Sequence, residues 1–244
     1  MKQQLPENVV PAGTPRPAAP GPKARASLLY RLLYYPLRRL LLWLFRVRVI
    51  GSEHVPAGNY IIAANHLNWV DPFVLLAVLP LEPRTYFIGR RSEVYKSWIR
   101  RLVLWAVGGV IPVEPGRGAG AEWSLRDALA VLKQGGVVGI FPEGQVAPEE
   151  GRLLPFQRGV GFLAARSGLP VVPIALSGCK ELYQGKEITV VIGAPMYVEA
   201  GPRMGARDEA LVARLQEAMA ALLPPYQEPP VTRKRLRFLT KLLG

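Results

Sequence analysis

Between residues 47 and 222 the chain alternates short apolar runs with stretches of helical periodicity, and this alternation limits its fold more than any other feature. Strands are expected over 47–50, 60–64, 85–88, 110–113, 137–141, 171–175 and 188–192, and helices over 72–79, 96–107, 121–134, 156–167 and 206–222. Several of the strands are apolar throughout, as they are when helices cover both faces of a sheet. The expectation is an α/β fold with a central, mostly parallel mixed sheet flanked by helices. At 244 residues, with no internal repeat, the chain reads as one core. Pro173 falls inside a strand pattern and is expected to mark an edge or a bend.

Charge divides the chain differently. The formal net charge is +13, yet residues 51–230 carry 17 basic and 17 acidic side chains. The excess sits at the ends, +8 over residues 1–50 and +5 over 231–244. A neutral body with two basic ends points to docking on something anionic. Residues 1–26, rich in Pro, Ala and Gly, read as a disordered tail. Residues 27–50 open with SLLYRLLYYPLRRLLLWLFRVRVI, whose apolar runs are interrupted by Arg38 and Arg39. That is too broken for a spanning helix or a secretory signal. It suits a helical segment at a membrane surface, with Trp43 and Phe45 entering the acyl boundary and Arg31, Arg38, Arg39, Arg46 and Arg48 meeting lipid phosphates. Pro36 is expected to kink it into a short hairpin. The plainer reading is an amphipathic helix packed on the protein's own core. Residues 231–244 read as a basic amphipathic tail, with Leu236, Leu239, Leu242 and Leu243 at helical spacing, making a second, weaker contact. The body between them, 51–230, holds the chemistry.

One of only two histidines lies in NHLNWVD, residues 65–71, directly after an apolar strand, and Asp71 opens the next helix. Strand ends of α/β sheets are where ligand sites form. A turn of this length lets the Asp71 carboxylate reach one imidazole nitrogen of His66, leaving the other to take a proton from an alcohol. With no serine in the constellation, the nucleophile is then the substrate's own hydroxyl. The plainer reading has His66 satisfying backbone groups while Asp71 caps a helix. A second motif weighs against it. The strand ending at Phe141 runs into FPEG, placing Glu143 at another strand end, with Gly144 permitting close approach.

Taken in order, NHxxxxD at 65–71, GGVIPVE at 108–114, FPEG at 141–144 and VVPIALSG at 171–178 resemble the glycerolipid acyltransferase family, typified by bacterial 1-acyl-glycerol-3-phosphate acyltransferase. The similarity runs from about Gly51 to Gly193. It makes 51–230 an acyltransferase domain and implies transfer of a fatty acyl group from acyl carrier protein or coenzyme A to a lysolipid hydroxyl, by default giving phosphatidic acid. It implies His66 as general base, Asp71 as its partner and Glu143 at the acceptor site, with no metal or redox cofactor. It also implies an N-terminal helical anchor and a place on the cytoplasmic face of the cell membrane, peripheral or monotopic.

The chain departs from that pattern in the acceptor pocket. The family continues FPEG with Thr-Arg-Ser, whose arginine binds the acceptor phosphate, whereas this chain has Gln145, Val146 and Ala147. Arg152 or Arg158 in the following loop is a candidate replacement, and Arg90 and Arg91 remain anion ligands. Glu114 is followed by Pro115 and Arg117, where the family has an acid followed directly by arginine. A glycolipid or aminolipid acceptor therefore stands beside lysophosphatidic acid. His54 reads as structural, Cys179 as a buried thiol that excludes an internal disulfide and fits a reducing compartment, and 115–122 as a flexible loop. Trp98 and Trp105 read as core. Nucleic-acid binding competes on the pI of about 10.2, but Leu, Trp and Phe interleaved with the arginines, and a neutral body, favour lipid.

Overall fold

The computed structural model describes residues 25–94, 109–113, 119–199, 204–226, 228, 230 and 233–242. The tail 1–24, the helix expected over 96–107 with Trp98 and Trp105, and the Glu114 to Arg117 stretch lie outside the described residues.

Seven strands form one sheet: β1 (Phe45–Ile50), β2 (Ile61–Ala64), β3 (Thr85–Arg90), β4 (Val110–Val113), β5 (Val137–Ile140), β6 (Val171–Ser177) and β7 (Lys186–Ile192). Their order is β1-β7-β6-β2-β5-β3-β4. The five strands from β6 to β4 are parallel to one another, β7 is antiparallel to β6, and β1 pairs parallel with β7. The helices are α1 (Leu28–Leu44), α2 (Asp71–Val78), α3 (Arg91–Val94), α4 (Ala119–Lys133), α5 (Gly159–Ser167) and α6 (Met204–Leu222). No helix among the described residues is long and apolar enough to cross a membrane.

Strand side chains alternate between two cores because a pleated strand turns successive residues to opposite faces. Ile62, Ala64, Ile174, Leu176, Ile188 and Val190 face one core, where α1 and α2 pack. Ile61, Ala63, Val138 and Val171 face the other, closed by α4, α5 and α6. With helices on both faces, β2 and β6 are buried at every position, which is why their sequences show no alternation.

Three expectations are corrected. The segment 27–50 does not fold into a hairpin at Pro36: α1 runs through it as one helix, and residues 45–50 leave it to become edge strand β1. Contacts on both sides of the proline hold the helix on α2, where the Tyr34 hydroxyl donates to the Leu76 carbonyl at 3.0 Å and Arg38 Nε to that of Ala77 at 2.8 Å. Tyr30, Tyr34 and Leu41 are buried there, and the opposite side of α1 shows Leu28, Leu32, Tyr35 and Trp43 to the outside. Pro173 lies in interior strand β6, not at an edge. It sits where pairing shifts from Val171 with Met196 to Ile174 with Ile192, so the strand tolerates a residue without an N–H at this break. Finally, the tail does not continue as a free amphipathic helix. It makes a 3₁₀ turn, Arg237–Lys241, with Leu239 buried against the body. His54 is structural as expected, its Nδ1 lying 2.8 Å from the Ile192 carbonyl.

Gly139 in β5 faces the ring of Phe87 so closely that an added Cβ would lie 2.4 Å from its carbons. A Gly139→Ala variant is expected to lose about 1–3 kcal/mol of stability through overpacking, read as a lower urea midpoint at unchanged m-value.

Candidate functional site

The parallel strands end along one edge of the sheet, and the sequence motifs meet there. After β2 come Asn65 and His66, after β5 the FPEG loop, after β3 the arginine pair, and after β6 the loop Gly178 to Lys180. A single amide fixes the exit of β2. Asn65 is 2% exposed, and it accepts from Leu176 N at 2.7 Å and donates to Leu176 O at 3.0 Å.

The Asp71 carboxylate organises the turn that follows. It is fully buried, and its Oδ2 accepts the N–H groups of Leu67 at 2.6 Å and Asn68 at 2.8 Å, together with the ring of His66 at 2.8 Å. The carboxylate thus turns back over its own loop and leaves the helix N–H groups alone. Its other oxygen, Oδ1, is buried without a hydrogen-bond donor among the described residues. An oxygen already accepting two backbone N–H groups can only accept from the imidazole, so Nδ1 carries the proton and Nε2 presents a lone pair. The ring stacks on Phe141 at 4.3 Å, Phe141 stacks on Phe87, and the histidine side chain stays 22% exposed. An oriented imidazole whose Nε2 has no hydrogen-bond partner among the described residues, backed by a buried carboxylate, can abstract a proton and then be stabilised as imidazolium.

Glu143 is 3% exposed and faces inward. One carboxylate oxygen accepts His66 N and the other Leu154 N, both at 3.1 Å, so the side chain ties the His66–Asp71 turn to the loop after FPEG. Burial raises its pKa, with the two backbone donors opposing the rise. Gly144 has φ +69°, a left-handed conformation that favours glycine, and a Cβ there would require the Gln157 amide to move. Ala147, two residues after Gln145, donates its N–H to His66 O at 2.7 Å.

Of the four arginines singled out by sequence, Arg90 reaches this loop, donating to Gly144 O at 2.6 Å from an otherwise exposed guanidinium. Arg91 opens α3 beside it, exposed. Arg158 turns to Glu209 on α6 at 2.8 Å, and Arg152 lies 4.0 Å from Glu149. Neither of these two joins the cluster through any contact the structure shows.

Sequence reasoning missed Asn65, Glu150 and Trp69. The Glu150 carboxylate takes Gly178 N at 2.8 Å and Lys180 N at 3.0 Å, and Asn68 donates to Lys180 O at 3.1 Å, joining the loop after β6 to the His66–Asp71 turn. Nothing in FPEGQVAPEE distinguishes Glu150 from Glu149; only register in the folded loop does. Cys179 between them is buried, and burial first, then the negative Asp71 and Glu150, push its pKa well up, which makes it a poor nucleophile. The described surface also has a cavity of about 410 Å³, lined by Tyr34, Arg38, Ser52 and Leu81 among others. It opens where β7 and α2 end, on the edge of the sheet opposite His66, and is not the site of this chemistry.

An α/β sheet that carries an ordered His–Asp pair at its carboxyl edge fits a class of transferases. Comparison places the chain within that class. The family model described as Acyltransferase matches residues 46–177, and the chain belongs to this acyltransferase family. It is 29% identical over 182 residues to the 1-acyl-sn-glycerol-3-phosphate acyltransferase of Bacillus subtilis (strain 168), covering 70% of this chain and 87% of that protein. It is 33% identical over 144 residues to the human 1-acyl-sn-glycerol-3-phosphate acyltransferase alpha, where the match covers 58% of this chain and only 49% of the human protein. The crystal structure of the 1-acyl-sn-glycerophosphate (LPA) acyltransferase PlsC from Thermotoga maritima has the same fold, with a TM-score of 0.60, 21% identity and coverage of 80% and 81%.

Two substitutions separate charge from architecture at this site. Asp71→Asn can keep its oxygen on the Leu67 and Asn68 N–H groups while removing the charge that supports an imidazolium. It is expected to keep the fold and to lose about 10²–10⁴ in kcat, measured with circular dichroism alongside steady-state rates. Glu143→Gln turns an amide N–H₂ toward one of two backbone donors. It is expected to cost about 1–3 kcal/mol, read from denaturant unfolding.

Proposed function

We propose that the protein transfers a fatty acyl group from a thioester, carried by acyl carrier protein or coenzyme A, to the hydroxyl of a lysolipid at a membrane surface. The acceptor taken first is 1-acyl-glycerol-3-phosphate, giving phosphatidic acid. The observation that carries the reading is the His66 ring: Nδ1 is held on a buried carboxylate and its other nitrogen is turned to the open carboxyl edge of the sheet.

In the proposed reaction the lysolipid oxygen attacks the thioester carbon as His66 Nε2 takes its proton. The tetrahedral oxyanion collapses, the carbon–sulfur bond breaks, and the imidazolium returns the proton to the departing thiolate. No acyl-enzyme forms, in keeping with the burial of Cys179. No metal or redox cofactor takes part. Arg90, fixed on the FPEG loop with donors to spare, is the proposed ligand for the acceptor phosphate, with Arg91 beside it. The names of the relatives support the phosphate-bearing acceptor. A second reading, a glycolipid or aminolipid acceptor, is favoured by one observation: the segment after FPEG carries Gln145, Val146 and Ala147 and supplies no cation.

The membrane-surface part rests on α1. Its outer side exposes Leu28 at 84%, Leu32 at 68% and Trp43 at 65%, with Arg39 exposed among them and Arg46 exposed on the adjoining β1, and the N-terminal 50 residues carry +8. Apolar side chains interleaved with arginines match the acyl boundary and phosphates of an anionic leaflet. The proposed place is peripheral or monotopic on the cytoplasmic face, with no nucleic-acid partner.

The test is a labelled acyl thioester incubated with a panel of lysolipids, phosphate-bearing and phosphate-free, with products identified by mass. Label is expected only in acceptors with a free hydroxyl. His66→Ala is expected to lower kcat about 10²–10⁴-fold, and Arg90→Gln to raise KM for the phosphate-bearing acceptor alone. A stable covalent acyl-enzyme, or full activity in His66→Ala, overturns the mechanism.

A further inference from the structure

The C-terminal segment crosses the carboxyl edge of the sheet and bonds to the catalytic turn itself. The indole N–H of Trp69, lying between His66 and Asp71 in the chain, donates to Leu239 O at 2.9 Å. Leu239 is buried in the same core as Leu67, Val70 and Phe73. Thr240 Oγ1 accepts Leu182 N at 3.0 Å and donates to Leu182 O at 3.1 Å, and Gln184 N donates to Arg235 O at 2.9 Å. Glu181 pairs with Lys234 at 2.5 Å and with Arg237 at 2.6 Å. Just before this segment, Glu228 pairs with the fully buried ammonium of Lys186 at 2.5 Å, a buried charge that cannot be left without its partner. Hydrogen bonds from Lys186, Tyr226 and Lys234 outweigh the effect of burial on Glu228 and hold its carboxyl at about 2.

The outer side of the segment is apolar and cationic. Phe238 is 62% exposed and Leu242 51%, and residues 231–244 carry five basic side chains and no acid. Gly185 N donates to Leu44 O at 2.7 Å, next to the Gln184 bond, so the segment lies beside the end of α1 and its exposed Trp43. The two apolar surfaces adjoin at the edge where His66 opens.

We propose that residues 233–242 are an interfacial strap: Trp69 is a positioning residue that the strap holds through Leu239, and Phe238 and Leu242 seat the strap in an anionic lipid surface. The Asp71 carboxylate fixes the amides of Leu67 and Asn68, and the strap fixes the indole that follows them. Docking on lipid therefore bears on the same turn that orients the imidazole. The kinetic part of this proposal rests on the acyltransferase reading and the lipid part on the membrane-surface reading; the structural part rests on neither.

Three measurements on the full chain test it. Hydrogen exchange of the Leu67 and Asn68 amides is expected to quicken about tenfold in Thr240→Val, for one lost hydrogen-bonding group, with amides of α5 unchanged and Thr240→Ser restored to wild-type protection. Unchanged protection in Thr240→Val overturns the strap. Trp69→Phe, which keeps an aromatic ring and loses the N–H, is expected to lower kcat several-fold on a short-chain, water-dispersed acceptor at unchanged KM; a change in KM alone overturns the positioning role. The double variant Phe238→Ser with Leu242→Ser leaves the α1 surface in place and is expected to lower flotation with phosphatidylglycerol-containing vesicles, and activity on vesicle-borne acceptor, several-fold, while keeping full activity on the dispersed one. Unreduced flotation overturns the lipid contact of the strap. A wild-type protein that acylates nothing, with Thr240→Val still loosening the turn, sinks the functional reading and leaves the strap standing.

Discussion

A carboxylate buried in a protein interior costs several kcal/mol unless donors replace its water, and the turn 66–71 is built to supply them. Asp71 Oδ2 collects two backbone N–H groups from its own loop and one from the imidazole. Hydrogen bonds to a charged acceptor are worth about 1.5–3 kcal/mol each, so three of them are of the size needed to offset the burial. The same bonds that make the charge tolerable also set the loop's conformation and the ring's tautomer. Glu143 repeats the device from the neighbouring strand, one oxygen on the catalytic turn and one on the loop behind it. The two carboxylates do different work because of what they touch. Asp71 reaches the ring of His66, whereas Glu143 reaches only its backbone.

The division of the sheet into two faces bears on what the site can meet. The catalytic turn, α1, α2 and Leu239 all pack into one core, while α4, α5 and α6 close the other. The exposed Leu, Trp and Phe side chains of α1 and the C-terminal segment therefore lie on the His66 side of the sheet. The face that exposes these apolar side chains is thus also the face that carries His66. The helical layer on the far face serves as a brace for β2 and β5, whose ends place His66 and Glu143.

The seven strands were legible to within a few residues because each contains a short apolar or β-branched run bounded by breakers, and in β2 and β6 burial on both faces removes any need for alternation. The His66–Asp71 pair was legible for a different reason: both partners lie in one turn, so their contact is local. The failures share a cause. Pro36 reads as a breaker, but packing of Tyr30, Tyr34 and Leu41 on α2 outweighs the single hydrogen bond it removes. Pro173 reads as an edge or a bend, and a shift in the pairing of β6 with the strand that follows it makes room for it in the interior. Arg158 pairs with Glu209, on a helix some fifty residues later, a contact that no local pattern marks.

By itself, then, the sequence determined the α/β alternation, the placement of charge at the two ends, and the local pairing of one histidine with one aspartate. It determined these because periodicity, composition and short spacing are properties of neighbours along the chain. Tertiary structure decided which face the apolar ends share, that Glu143 turns inward to backbone donors, and that Leu239 reaches back 170 residues to the indole of Trp69. Those contacts join residues far apart along the chain, and only closure of the sheet brings their donors and acceptors within reach of one another.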